Sequence, residues 1–120
     1  MELTSLVAAS KKEQQYSELV KCCCDYIREN LYEKPTVQSV AASVRFSPSY
    51  VSHKFREETG ETLDQYIRKA KISEAKLLLR ANFPLTQISS NLGFASQSHF
   101  TNTFKKETGM TPKQFCKGNE

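Results

Sequence analysis

One phrase occurs twice in this chain. "HKFREETGETLDQY" at residues 53–66 returns as "NTFKKETGMTPKQF" at residues 102–115, within a total of 120 residues. Phe46 aligns with Phe94, Val40 with Ile88 and Val44 with Leu92. After one inserted residue, Ser47 aligns with Ser96, Ser49 with Ser98, Val51 with Phe100 and Phe55 with Phe104. Glu58-Thr59-Gly60 then matches Glu107-Thr108-Gly109, Thr62 matches Thr111, Gln65 matches Gln114 and Tyr66 matches Phe115. A repeat of this kind makes the chain two versions of one supersecondary unit. The length suits one compact domain or two small ones, not a large enzyme with a deep cleft.

Each copy reads as a helix, a turn, a second helix and the start of a third. In the first, Pro35-Thr36 opens a short helix whose Val37, Val40, Ala41 and Val44 share an apolar face. Arg45-Phe46 turns the chain, Ser47 is a natural N-cap, and Pro48 takes the first helical position, where a missing N–H does no harm. The next helix is expected to bury Tyr50, Val51 and Phe55 and to stop at Gly60, which suits the left-handed position after a helix. The second copy repeats the plan with Leu85, Ile88 and Leu92, a turn at Gly93-Phe94, a cap at Ser96, and His99, Phe100 and Phe104 inside before Gly109. The repeated phrase is a helix stop followed by a capping box, Thr62 with Gln65 and Thr111 with Gln114.

Two more helices complete an all-α layout of about seven. Residues 14–33 carry Tyr16, Leu19, Val20, Cys23, Ile27 and Leu31 at helical spacing and end before Pro35. Residues 63–80 carry Leu63, Tyr66, Ile67, Ala70, Ala75, Leu78 and Leu79, and stop near Asn82 and Pro84. At 1.5 Å per residue this second helix is roughly 27 Å long. The predicted organisation is a linker or remnant of an upstream segment over 1–12, a first helix-turn-helix subdomain over 13–61, a linker helix over 62–81 and a second subdomain over 82–120.

Composition narrows the chemistry. A hydrophobic fraction of 38% with 25% charged residues describes a soluble globular protein, and Leu77-Leu78-Leu79 is far too short to cross a bilayer. "MELTSLVAAS" lacks the pattern of a signal peptide, so cytoplasm is expected and no membrane partner. The excess of 17 basic over 13 acidic residues is compatible with a polyanionic partner without requiring one. Cys22, Cys23 and Cys24 are adjacent and Cys116 is alone, so there is no CxxC pair or disulfide framework. Three consecutive helical positions point three ways, which is wrong for one metal; packing as small hydrophobes is the expectation. His53 and His99 fall in different units, with His99 on the inner side, and no metal or cofactor is implied. No nucleophile, base and orienting residue stand together, so the chain does not read as an enzyme.

A short helix, a tight turn and a second helix with exposed small polar residues describe a helix-turn-helix. The outer faces carry Ser49, Ser52, His53 and Arg56 in the first copy and Gln97, Ser98, Thr101, Asn102 and Lys105 in the second. Such side chains suit the major groove, where base edges present distinct donor and acceptor patterns. Gln97 and Asn102 can pair with adenine, His53 can donate to guanine, and Ser49 and Ser52 permit close approach. A solvated helix face is the plain alternative at each position taken singly; two faces built alike on one linker helix carry the joint argument. Helix N-termini at Thr36, Ser47 and Ser96 offer N–H groups to phosphates, Thr86 adds a hydroxyl, and Lys54, Arg56, Arg68, Lys105 and Lys106 supply cations.

Residues 14–117 resemble the AraC/XylS-type DNA-binding domain of bacterial transcription regulators. The resemblance is carried by "SPSYVSHKFREETG", "YIRKAKISEAKLLL" and "GFASQSHFTNTFKKETGMTPKQF". It implies two helix-turn-helix subdomains bridged by a long helix. The recognition helices, about 48–58 and 97–107, would lie in successive major-groove segments on one face of double-stranded DNA. Base-facing roles follow for Ser49, Ser52, His53, Gln97, Ser98 and Asn102, and backbone roles for the residues above, Thr101 included. The family also implies activation through RNA polymerase and an upstream effector or dimerisation domain absent from this chain. Many members have glycine at Arg45 and arginine at His53 and Asn102, so the site preference here is this chain's own. A helical protein–protein module without DNA readout is the alternative function; a repair enzyme would need a reactive cysteine in a polar pocket or a zinc–cysteine cluster.

Overall fold

The computed structural model describes residues 16–118. The predicted linker over 1–12 lies outside them. Seven α-helices and one 3-10 turn form among the described residues: α1 (Glu18–Glu29), the turn Leu31–Glu33, α2 (Val37–Val44), α3 (Pro48–Thr59), α4 (Leu63–Arg80), α5 (Leu85–Asn91), α6 (Gln97–Thr108) and α7 (Pro112–Gly118). The all-α, two helix-turn-helix plan is the one expected. The first helix is shorter than the spacing implied. Asn30 leaves the α region at φ −119°, the chain tightens over Leu31–Glu33, and Lys34 is left-handed at φ 57°. Pro35 disfavours an α conformation in the residue before it, so the helix cannot run up to it. Leu31 is still buried, by the tight turn instead of by α1.

The described chain divides into two compact units, one over 16–29 and 36–66, the other over 30–35 and 67–118. The first unit buries Val20, Cys23 and Ile27 of α1, Val40 and Ala41 of α2, Val51 and Phe55 of α3, and Leu63. Tyr66 sets its ring edge-on to Phe55 at 5.4 Å, and its hydroxyl accepts from Arg28 Nη1 at 3.0 Å. Burial pushes the Cys23 thiol up to about 11, with the neighbouring cysteines adding to it, so it stays a protonated packing group. Cys22 departs from the packing expectation and is exposed. It stands one position from Cys23, on the side of α1 turned away from the core.

The second unit is built on aromatics. Phe94, Phe100, Phe104 and Phe115 form a chain with centroid spacings of 5.2, 5.8 and 5.6 Å. Ile67, Ile72, Ala75 and Leu79 of α4 and Ile88 and Leu92 close the core around it. Ile72 lies outside the core positions the spacing names, yet it is buried, three residues before Ala75 and seven before Leu79 on the same face of α4. Tyr32 of the 3-10 turn donates its hydroxyl to Glu74 Oε2, fastening residues 30–35 to this unit.

The repeated phrase folds into a repeated set of hydrogen bonds. Ser47 Oγ accepts from Tyr50 N–H at 3.2 Å, and Ser96 Oγ from His99 N–H at 3.0 Å. Thr59 and Thr108 each donate a hydroxyl to the carbonyl four residues back, Phe55 or Phe104, at 2.8 Å. The same two oxygens accept from Glu61 N–H and Met110 N–H beyond the glycine. Gly60 and Gly109 sit at φ 84° and 86°, and both capping boxes form. The phrase is a reusable device that ends a helix, reverses the backbone and starts the next helix.

The turns within the copies are also alike, with one mismatch in residue type. Arg45 is left-handed at φ 65°, where the second copy has Gly93 at φ 78°. A side chain there costs on the order of 1 kcal/mol. Arg45→Gly should therefore raise unfolding free energy by roughly 0.5–1 kcal/mol, partly offset by the freer unfolded chain. A higher urea midpoint at unchanged slope is the expected readout; a lower midpoint would mean that the Arg45 side chain stabilises the turn.

Candidate nucleic-acid interface

Each candidate recognition helix is anchored from beneath. Val51 and Phe55 of α3, and Phe100 and Phe104 of α6, have no exposed surface, so the opposite faces must meet solvent. Ser49 and His53 of α3 are exposed and Ser52 is half-buried. Gln97, Ser98 and Asn102 of α6 are all exposed. Positions 49 and 53, and 98 and 102, are four apart and share a face one turn above each other. None of the six base-reading candidates is taken into a core.

The backbone candidates sort into two groups. Thr36, Ser47, Thr86, Ser96, Arg56, Lys105 and Lys106 are exposed, and Thr101 is half-buried. Thr36 caps α2 with Ser39 in a reciprocal pair of hydrogen bonds. Lys54 and Arg68 are already engaged. Lys54 Nζ lies 3.4 Å from Glu57 and 3.9 Å from Glu58, and Arg68 Nη1 lies 3.8 Å from Glu107. A phosphate must compete with those carboxylates, of which Glu57 is exposed and Glu58 and Glu107 are half-buried.

Two expectations are corrected. The helical spacing places Tyr50 and His99 in the interior, and both are exposed. They occupy the third position of α3 and α6, where the first turn has left the helix start but has not reached the core. Each rests on the aromatic of its own turn instead: Tyr50 on Phe46 at 5.1 Å, His99 edge-on to Phe94 at 5.6 Å. His99 Nδ1 also accepts from Ala95 N–H at 3.4 Å. The helical spacing that named the core residues carried one position too far toward the N-terminus. The signal that could have found them is an aromatic in the preceding turn, Phe46 four residues before Tyr50 and Phe94 five before His99, which offers a ring outside the helix to rest on. Both side chains join the outer surface at the mouth of each reading helix.

The profile described as "Helix-turn-helix domain" matches residues 40–118. The arabinose operon regulatory protein of Salmonella typhimurium is 38% identical over 103 residues, covering 84% of this chain and 37% of that protein. The chain thus spans just over a third of that relative's length. Among solved structures, the C-terminal domain of AraT, a response regulator from Geobacillus stearothermophilus, superposes with a TM-score of 0.80 at 27% identity, covering 87% of this chain and 88% of that one. The DNA-binding domain of the global transcriptional factor AdpA, solved with a target DNA, shares the fold with a TM-score of 0.77 at 21% identity, covering 85% and 93%.

Proposed function

Since the chain belongs to the AraC/XylS-type helix-turn-helix family, we propose that it binds double-stranded DNA sequence-specifically and thereby regulates transcription. The observation that supports this best is the duplicated outer face: two capped helices, each on a fully buried platform, each with small hydrogen-bonding side chains turned to solvent. We assign base reading to Ser49, Ser52 and His53 on α3 and to Gln97, Ser98 and Asn102 on α6, each helix in its own major-groove segment. Backbone positioning falls to Thr36, Ser47, Thr86, Ser96 and Thr101, with Arg56, Lys105, Lys106, Lys54 and Arg68 as cations. No helix among the described residues is long and apolar enough to cross a membrane, and a cytoplasmic site of action is part of the proposal. RNA polymerase as partner, and an effector or dimerisation domain beyond this chain, are assigned on family resemblance and on the relative's greater length.

Selection of bound duplexes from a random pool tests the reading, followed by two variants on the selected duplex. Gln97→Ala with Asn102→Ala should cost about 1–3 kcal/mol per lost bidentate contact and relax preference in one half-site. Lys105→Ala with Lys106→Ala should weaken selected and random duplexes alike. Equal losses on both duplexes from the first pair would remove Gln97 and Asn102 from the readout. A pool that yields no preferred sequence would favour a protein-docking role for the same faces.

A further inference from the structure

Two lysines flank the turn that leads into α6, and neither belongs to the helix-turn-helix itself. Lys34 lays its stem across Gly93; a Cβ built on that glycine would meet Lys34 Cγ at 2.8 Å. Lys71 of α4 holds its ammonium 5.5 Å from the centre of the Phe94 ring. Desolvation lowers the Lys71 pKa, and the charge of Lys34 lowers it further, so the two cations are close enough to repel. Neither forms an ion pair among the described residues. Burial first, and the charge of Lys34 second, thus disfavour the charged form of Lys71, and an anion nearby would offset both.

A place for that anion lies alongside. A recess of about 430 Å³ opens at the same turn, lined by Lys34, Thr86, Ser90, Gly93, Ser96 and Gln97 among others, with no carboxylate in its wall. Hydroxyl donors and one long cation suit a compact oxyanion with several acceptor oxygens, and the absence of acidic groups argues against a metal ion. The bare Gly93 is what lets the Lys34 stem pass across the turn into the lining of the recess.

We propose that Lys34 holds one phosphate group in this recess, with the Thr86 and Ser96 hydroxyls as further donors and the Lys71 charge outside the lining, over the Phe94 ring. This rests on the DNA-binding reading for its source: a backbone phosphate of the duplex under α6. The contact enlarges the phosphate set with a residue that precedes the first helix-turn-helix in the chain but belongs to the second unit. A free phosphate anion offers the same chemistry, and the experiment separates the two.

Lys34 is exposed, so Lys34→Gln is expected to fold as the parent does, checked by circular dichroism. Duplex affinity is followed against salt for the parent, Lys34→Gln and Lys34→Arg, and inorganic phosphate is titrated while amide resonances are recorded. The expected result is an affinity loss of about 5-fold near physiological salt on selected and random duplexes alike, with a salt slope smaller by about 1. Lys34→Arg should restore both. Unchanged duplex binding in Lys34→Gln, with saturable phosphate shifts at Gly93, Ser96 and Gln97 that vanish in the variant, would assign the site to a free phosphate. Unchanged duplex binding with no such shifts overturns the proposal. A parent chain that binds no duplex yet shows the phosphate shifts would sink the DNA reading and leave this site standing.

Discussion

Replacing Phe104 with alanine should lower the stability of the second unit by about 3–5 kcal/mol, the usual cost of emptying a buried aromatic site. Phe104 is fully buried and is the middle link of the ring chain, between Phe100 at 5.8 Å and Phe115 at 5.6 Å. Its backbone carbonyl also receives the Thr108 hydroxyl that closes α6. A domain of this size holds only about 5–15 kcal/mol in total, so much of the margin goes with one side chain. Thermal unfolding followed by helical circular dichroism should show a midpoint lower by roughly 10–30 °C. Phe104→Leu, which refills most of the volume, should recover the larger part. A midpoint shift of only a few degrees in the alanine variant would mean that the aromatic chain is not the core that holds α6 in place.

Raising salt from 50 to 200 mM should weaken duplex binding about 500-fold if all five proposed cations, Lys54, Arg56, Arg68, Lys105 and Lys106, displace counterions. That figure follows from a loss of about 0.9 in the log–log slope for each neutralised phosphate. Lys54 and Arg68 have internal carboxylate partners, and a complex in which they keep them leaves three cations and a loss of only about 40-fold. Fluorescence anisotropy at several salt concentrations separates the two outcomes by slope alone. Glu57→Gln with Glu58→Gln should steepen the shallow case by freeing Lys54. Binding that is indifferent to salt would contradict a phosphate-positioned complex and favour a protein partner.

Much of the architecture was legible because it is written in residues with narrow conformational uses. Ser47 and Ser96 cap as their positions require, Gly60 and Gly109 are left-handed, and both Thr–Gln capping boxes close. The long helix spans Leu63–Arg80, as the spacing predicted. Errors arose where the helical period had no neighbour to anchor it. Tyr50 and His99 adjoin the core residues Val51 and Phe100 by one position but stand in the first turn, where they rest on Phe46 and Phe94. The spacing runs past the end of α1 because Leu31 is buried, and burial alone does not distinguish an α-helix from a 3-10 turn. The candidate site was legible as a face and not as a charge distribution. The Lys54–Glu58 pair could be counted along the helix, whereas Arg68 meets Glu107 only after folding.

Residues 30–35 pack with 67–118, although residues 36–66 intervene in the chain. No single cut therefore yields two whole halves. A chimera joined at the Gly60 stop, exchanging one head for a relative's, would carry off the later segment without the Tyr32 hydroxyl that ties down Glu74 and without Lys34. The heads are interleaved and not modular cassettes. Recombination that respects this wiring must transplant the hexapeptide along with the distal segment, and stepwise point change on the outer face of α3 or α6 is the simpler route to an altered surface.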